Sequence, residues 1–521
     1  MYIEPNTTVK LYHGVPLDLS YRNTVVWDSE GAQSGGFDTY LKHTLGRQSY
    51  QRVNQGVFRC SLGADQCYDC NYMAFQNSNY GSKWFYAFIT KVEYVNNGMC
   101  NITFVIDIIQ SYYFQWDFEH CFVERETVAS DTVGEHLIGE SIQVGEYVMD
   151  AYGMAVDLSS SNVLAVEYVS DEQLTGVKID NIYAAAGIKC FPMSVSGITN
   201  ANQFLLSMSS KKQSIISVYM IPTDLLGGSN LPSDKGSNVA YGSVAPVNTL
   251  NYSKPTTIGS YTPRNKKLLT YPYTYLGLFD GMGHDLKLRY EFFSGNTCSV
   301  KVTGTIVSPI KAVATPINYK GSSPVTGSLS GMNANETLSI SGFPSCPWAT
   351  DAYYSYLGTY QISSAINKVP EYEAPANFGG VGRLAAGYLN SVRNLAQGVD
   401  NLIHSAVNEV KGNQPHGSAD NVTPLFSHGA LGIYKATMHI TEEVAKSIDD
   451  YFDMYGYKVD TLKVPNVRNR PHWTYIKTLG CNIRGSMPAD DVEQLQSIVD
   501  NGITFWRNIS EVGNYSLDNS V

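Results

Sequence analysis

Side chains capable of chemistry cluster at a few places along this sequence. Cys67-Tyr-Asp-Cys70, with Cys60 upstream, has the two-residue spacing of thiolate metal ligands. A metal site needs a second ligand pair at suitable spacing, and none follows, so the nine scattered cysteines read as reduced, half-buried thiols. Glu124 and Glu126 in FVERETV, and Asp490 and Asp491 in PADDVE, are the carboxylate pairs a cell-wall hydrolase would need. The glutamates lie one residue apart on a predicted strand and are expected to face the same way, while the aspartates read as a helix cap. His472 and Trp473 could stack on a sugar or a base, and a half-buried strand explains them equally well. Asp280-Gly281-Met282-Gly283-His284 has the wrong ligand spacing for a calcium loop and reads as a glycine-rich hairpin tip. There is no G-x-S-x-G elbow, Walker loop or H-E-x-x-H. The expectation is a protein that is not an enzyme, with no catalytic, cofactor-binding or metal residues and no cofactor.

The elements that would position such residues are mostly strands. Hydrophobic residues make up 43% of the chain, enough for real cores, and the charged share of 16% is low. The 37 tyrosines, with many Thr and Val, favour pleated, half-buried surfaces, and 45 glycines supply turns. A net charge of −11 argues against a phosphate-gripping surface. The start, MYIEPNTTVKLYHGV, shows no charged region followed by an apolar core, so no signal peptide is expected. No apolar run approaches about 18 residues, so no spanning helix is expected either.

Residues 7–125 are dense in strand signals, and Asn96-Asn97-Gly98 predicts a β-hairpin from Trp84 to Phe114. Residues 126–255 mix strands, a short helix and a loop rich in Gly, Ser, Asn and Pro, and read as an inserted domain. Residues 256–345 return to hairpins. Thr441-Glu-Glu opens a helix that Gly456 closes, and Pro488-Ala-Asp-Asp opens another that ends at Asn501-Gly502.

One stretch departs from this pattern. In residues 379–412 apolar side chains recur at Ala385, Tyr388, Leu389, Val392, Leu395, Val399, Leu402, Ile403, Ala406 and Val410. Spacing of three and four marks one face of a helix, and Arg383, Arg393, Asp400 and Lys411 fall on the other. About 30 helical residues would run roughly 45 Å. Gly379-Gly380 before it and a polar loop after it suggest freedom to move.

Several strings resemble one family, the distal tail-knob proteins of small short-tailed bacteriophages of the picovirus type. The densest is YMAFQNSNYGSKWFYAFITKVEYVNNGMCNITFVIDIIQSYYF, residues 72–114. VPLDLSYRNTVVW (15–27), FVERETV (122–128) and YPYTYLGLFDGMGHDLKLRYEFF (271–293) are similar to further blocks. YGYKVDTLKVPNVRNR (455–470) and VDNGITFWRNISEVGNYSLDN (499–519) resemble the C-terminal block closely. The matches follow the family's order from end to end, and residues 129–255 carry almost none.

The resemblance implies a multi-domain, mainly β protein with a few helices, built from β-barrel or β-sandwich tube-forming domains, an inserted domain and a long amphipathic helical loop. The expected divisions are 1–125 and 256–367 as tube-wall β domains, 126–255 as a peripheral insertion, 368–428 as an internal plug or pore loop, and 429–521 as the rest of the wall. The implied function is a hexameric tail knob at the virion's tail tip, made in the host cytoplasm. It would be a plugged conduit for genome ejection whose internal loops are released to help penetrate the host membrane. Implied partners are further copies of the chain, the proximal tail tube or collar protein, viral DNA passing without specific binding, and the host membrane. This helix is shorter and more two-faced than the family's strongly apolar loops. The competing reading is a receptor-binding protein whose Tyr-, Ser-, Gly- and Asn-rich insertion recognises a host surface polymer.

Overall fold

The apolar alternation near the start of the chain becomes strands, and their pairing spans the sequence. The computed structural model describes residues 6–48, 56–78, 81–158, 162–168, 178–179, 182–183, 187–208, 215–226, 232–239, 248–281, 283–304, 306, 310–320, 336–340, 343, 345–347 and 432–521. They form two compact units. One comprises Met1–Val144, Tyr261–Leu268 and Glu442–Val521, the other Gly145–Ser260 and Leu269–Thr441. The architecture is mainly β with a few helices, as the composition and the resemblance imply.

The first unit begins with β1 (Thr7–His13), β2 (Asn23–Val25), α1 (Glu30–Asp38), β3 (Leu41–Gln48), β4 (Val57–Cys60), α2 (Ala64–Cys67), β5 (Cys70–Asn77), β6 (Trp84–Asn96), β7 (Met99–Ile106), α3 (Ile108–Tyr112), β8 (Trp116–Phe118) and β9 (Cys121–Glu126). Six of these strands make an antiparallel sheet in the order β3-β1-β5-β6-β7-β4. The Asn-Gly signal acts as expected: Asn96 pairs with Met99 across the turn, and Gly98 N–H donates to Asn96 Oδ1 at 2.9 Å. The hairpin stops at Ile106, however, short of the expected Phe114. Asp107 caps α3 there, its Oδ1 accepting from the N–H groups of Ile109 and Gln110 at 3.1 Å each. The run TFVIDIIQSYYF therefore changes element at its single buried carboxylate. That carboxylate also accepts from the Tyr72 hydroxyl at 2.8 Å, and burial pushes its pKa up to about 6.

Helix α1 has no sequence signal because Gly31, Gly35 and Gly36 weaken its propensity. It forms because Ser29 caps it and Phe37 is fully buried against Tyr12, Trp27, Tyr72 and Tyr86. A Cβ at Gly36 would lie 2.3 Å from the Trp27 ring, so any larger residue there must displace that ring.

The second unit holds β10 (Tyr147–Asp157), β11 (Asn162–Tyr168), β12 (Lys178–Ile179), β13 (Ile182–Tyr183), β14 (Gly187–Pro192), α4 (Val195–Met208), β15 (Ile215–Pro222), β16 (Ser237–Val239), β17 (Asn248–Ser253), β18 (Thr274–Phe279), β19 (Asp285–Leu288), β20 (Thr297–Gly304), β21 (Ala312–Ile317), β22 (Leu338–Ile340), β23 (Ser345–Pro347) and β24 (Gly432–Ile440). Its sheets run β10-β24-β18-β19, β16-β14-β11-β15-β23 and β17-β20-β21-β22, beside the short ladder β12-β13. Val163, Ile188, Tyr219, Leu276, Val300 and Ile433, drawn from all three larger sheets, belong to one buried apolar cluster.

The chain completes the first unit with α5 (Glu442–Tyr455), β25 (Tyr457–Lys463), β26 (Trp473–Leu479), β27 (Ile483–Gly485), α6 (Ala489–Asn501) and β28 (Ile503–Trp506). Both helices start and stop where the acidic first turns and Gly456 or Gly502 predict. A five-stranded sheet, β2-β28-β26-β9-β25, joins the two ends of the chain, with β2 parallel to β28. Trp473 and Trp506 are fully buried within it.

A carboxylate junction holds the short Tyr261–Leu268 segment in this unit. Asp449 of α5 is fully buried and accepts from the Tyr261 hydroxyl (2.6 Å), the N–H of Arg264 (2.8 Å), the N–H of Asn265 (3.0 Å) and Asn265 Nδ2 (2.8 Å). Arg264 Nη1 pairs with Asp453 at 2.7 Å, and Asn265 Nδ2 donates to Asp453 at 2.7 Å. Asp131 takes the N–H of Lys266 and the Tyr457 hydroxyl, both at 2.8 Å. Glu140 takes Lys267 Nζ at 2.6 Å and pairs with Arg125. Burial raises the Asp453 carboxyl to about 6, with Asn265 and Arg264 pulling it back.

Two outcomes follow from these contacts. Asp449→Ala leaves the Tyr261 hydroxyl and the N–H groups of Arg264 and Asn265 without their acceptor and is expected to cost about 3–5 kcal/mol, against about 1 kcal/mol for the part-exposed Arg264→Ala. Denaturant unfolding followed by tryptophan fluorescence reads this, because Trp27, Trp84, Trp116, Trp473 and Trp506 all lie in the first unit. The second concerns pH. A raised carboxyl binds its proton more tightly folded than unfolded, so its contribution to stability is present at low pH and is lost as pH rises through about 6. Asp107→Asn removes that titration, so its stability relative to the parent chain should fall by about 1.4 kcal/mol between pH 7.5 and pH 5. A difference that stays flat would place Asp107 in the ordinary carboxylate range.

Candidate functional site

The strand β9 carries both glutamates that could have formed a catalytic pair, and the structure separates them. Against β26, Arg125 and Val123 face the adjacent residues Lys477 and Thr478, leaving Glu124 as the extra residue of a bulge. The bulge reverses the alternation, so Glu126 points into the unit at 4% exposure while Glu124 stays outside at 36%. They do not face the same way, contrary to the expectation from spacing. Each has its own partner: Glu124 pairs with Lys477 at 2.7 Å and Glu126 with Lys463. No gap between two convergent carboxyls exists here for a glycosidic bond.

Gly456, which closes α5, presses on the same strand. A Cβ there would lie 1.9 Å from the Glu126 carbonyl oxygen, and its φ is +63°. Only glycine lets the helix end so close to β9. Arg125 Nη1 then donates to the Gly456 carbonyl at 2.5 Å.

The remaining candidates are also absorbed by structure. Asp490 and Asp491 occupy the first turn of α6, where carboxylates favour the helix N-terminus. Burial raises Asp491, with Asp490 adding to it. Trp473 is fully buried, donates Nε1–H to the Asp453 carbonyl at 2.8 Å and packs on Trp506 and Tyr515, so it offers no face to a sugar. His472 Nδ1 lies 2.9 Å from Glu511. Asp280 closes its own turn, accepting from the His284 N–H at 3.0 Å and meeting its ring at 2.6 Å. It caps a hairpin tip and does not line a calcium loop.

The described cysteines are free thiols, as the sequence reading has them, and are buried instead of half-buried. Cys60, Cys67 and Cys100 place their Sγ atoms within 4.8 Å of one another, all buried, with Cys70 in the same apolar cluster. Cys60 and Cys100 reach Cys67 through the pairing of the sheet, which the local spacing does not show. Cys60 on β4 and Cys100 on β7 are direct cross-strand partners. Three of these thiols lie above their usual range: a hydrogen bond with Cys60 and burial raise Cys67, while burial lifts Cys100 to about 12 and Cys70 to about 11.

The amphipathic stripe, Ala385, Tyr388, Leu389, Val392, Leu395, Val399, Leu402, Ile403, Ala406 and Val410, lies outside the described residues. The stretch TDAYYSYLGTYQISSAINK (350–368), which also reads as a helix, lies outside them too. Among the described residues no helix is long and apolar enough to cross a membrane.

What the described geometry offers is a set of paired charges and buried aromatics that hold distant chain segments together. Comparison with known proteins agrees with that structural character. The family model for the C-terminal domain of the tail knob protein gp9 of Bacillus phage phi29 matches residues 240–520, and that for the Caudoviral major tail protein N-terminus matches residues 5–117. The tail knob protein gp9 of Bacillus phage PZA is 25% identical, with 99% of this chain and 98% of the relative covered. Those of Bacillus phages B103 and phi29 are each 24% identical over the same shares. The solved tail knob protein gp12 of bacteriophage C1 shares the fold, with a TM-score of 0.64 over 99% of both chains at 14% identity. The chain belongs to the family of the phi29 tail knob protein gp9, structural proteins of the virion tail.

Proposed function

We propose that six copies of this chain close into a ring at the tail tip, which conducts the genome outward and is plugged by the 379–412 helices until infection. The observation that carries this reading is the similarity to tail knob proteins along 99% of the chain. The sheets favour it too. The six-stranded sheet ends in β3 on one side and β4 on the other, and among the described residues neither edge has a further strand partner. A ring of identical subunits uses two different surfaces of each copy, and two unlike edges supply them. On this reading 1–125, 256–367 and 429–521 make the wall, 126–255 sits at the periphery, and 368–428 is the internal loop. The wall would also meet the proximal tail tube.

The charge balance fits a conduit. At −11 per chain, a lumen of neutral and negative groups releases phosphates instead of gripping them, so DNA slides. The stripe from Ala385 to Val410 gives each helix one apolar face, which can pack against copies of itself as a plug. Once released, the same face can enter a membrane interface.

Electron microscopy of the purified protein beside a version lacking 379–412 tests the proposal. Six-fold rings with a filled centre, emptied by the deletion, are expected. Rings with an unchanged centre would retain the conduit and remove the plug. A protein without rings that binds host-wall polymer through 126–255 would favour the adhesion reading. Leu395→Asp with Leu402→Asp should keep the rings but lower leakage of dye from anionic liposomes by roughly tenfold, since two charges break the apolar stripe.

A further inference from the structure

Cys60, Cys67 and Cys100 converge beside the six-stranded sheet, with Cys70 in the same buried cluster, although the chain brings them there on separate elements. Cys60 ends β4, Cys67 ends the one-turn helix α2, Cys70 opens β5, and Cys100 lies opposite Cys60 on β7. The thiols of Cys60, Cys67 and Cys100 lie within 4.8 Å of one another, and all three residues are 0% exposed. Thiolates around a tetrahedral zinc, with bonds of about 2.3 Å, stand about 3.8 Å apart, so a small inward movement completes such a site. Thiols are weak hydrogen-bond donors, and three meeting at a point gain little from each other in an apolar core of Val9, Phe58, Met73 and Phe104.

The surroundings fix that spacing. Lys42 Nζ holds the Gln66 carbonyl at 3.1 Å and Asp69 Oδ1 at 2.5 Å, and His13 Nδ1 meets the Asp69 carbonyl at 2.7 Å. Gly63 lets α2 approach the hairpin turn, where a Cβ would lie 2.8 Å from the Asn97 carbonyl oxygen. Lys42 is also the cation whose charge reaches both Cys67 and Cys70, and it offsets the negative charge of a thiolate–metal centre.

We propose that Cys60, Cys67 and Cys100, with Cys70 as the fourth thiolate, hold one zinc ion that pins the short edge strand β4 and helix α2 to the sheet. Four S–H bonds are replaced by four S–Zn bonds and four protons pass to solvent, so no oxidant or reductant is involved. The site is closed, all its ligands come from the protein, and its role is structural.

The test is metal analysis of the full chain, produced with zinc in the medium and purified under reducing conditions. About one zinc per chain is expected, released in step with mercurial titration of thiols, with a sulfur-only X-ray absorption shell at about 2.3 Å. Cys60→Ser and Cys100→Ser should each lower the zinc content at least tenfold, while Cys190→Ser and Cys298→Ser, in the other unit, should not. Cys70→Ser should speed zinc loss to a chelator at least tenfold, and an unchanged rate would overturn the fourth ligand. Should the serine variants fail to fold, cobalt loaded into the unmodified chain reports the site through its thiolate-to-cobalt charge-transfer absorption. A chain carrying less than a tenth of an equivalent of zinc, a disulfide among these cysteines in the mass spectrum, or a nitrogen- or oxygen-rich shell would each overturn the proposal.

Discussion

The first unit depends on one constraint: a carboxylate taken out of water must find its donors inside the protein. Asp449 meets it with the Tyr261 hydroxyl and with the backbone and side chain of Asn265, 184 residues away in sequence. Those donors sit on a segment only eight residues long, Tyr261–Leu268, which these polar contacts tie to α5. Asp131, Glu140 and Asp453 repeat the arrangement around it, so Arg125, Arg264, Lys266, Lys267 and Tyr457 all have assigned places. A network of this kind specifies one arrangement, since a shifted segment would leave charges buried without partners.

The same logic governs strand β9 in the five-stranded sheet. Strand β9 is paired on both sides, with β25 and β26, so its bulge at Glu124 has no free edge to relax into. The bulge sends one glutamate inward and one outward and gives each its own lysine. What looks in sequence like paired acid groups is a way of fitting a strand between two others while keeping every charge matched. Gly456 completes the fit by letting α5 end against the backbone of β9.

For a tail component these features have a mechanical sense. The five-stranded sheet sets β2, near the start of the chain, beside β28, near its end. The aromatic group around Phe37 and the tilted pair of Trp473 and Trp506 contribute large, rigid contact areas to the same unit. The six-stranded sheet, with unlike edges at β3 and β4, is where further pairing can occur. A thiolate–metal centre at the β4 side stiffens one of those edges at its end.

Local chemistry was legible from the sequence wherever one residue type settles a backbone question. Asn97-Gly98 fixed the hairpin turn, Gly456 and Gly502 ended their helices, and the acidic first turns began them. The β-rich class followed from Tyr, Thr and Val, and the resemblance to tail-knob proteins from long ordered strings such as residues 72–114. Tertiary structure alone decided the rest. Asp107 turns a strand-like run into a helix because a buried carboxylate can accept two backbone N–H groups there. Helix α1 exists despite three glycines because Phe37 fills an aromatic core assembled from distant strands. Cys60 and Cys100 meet Cys67 only because β4 pairs with β7. Periodicity along a chain states which face a residue occupies, whereas the identity of its neighbour depends on strand register and on buried charges finding partners, and both are set by contacts between segments far apart in sequence.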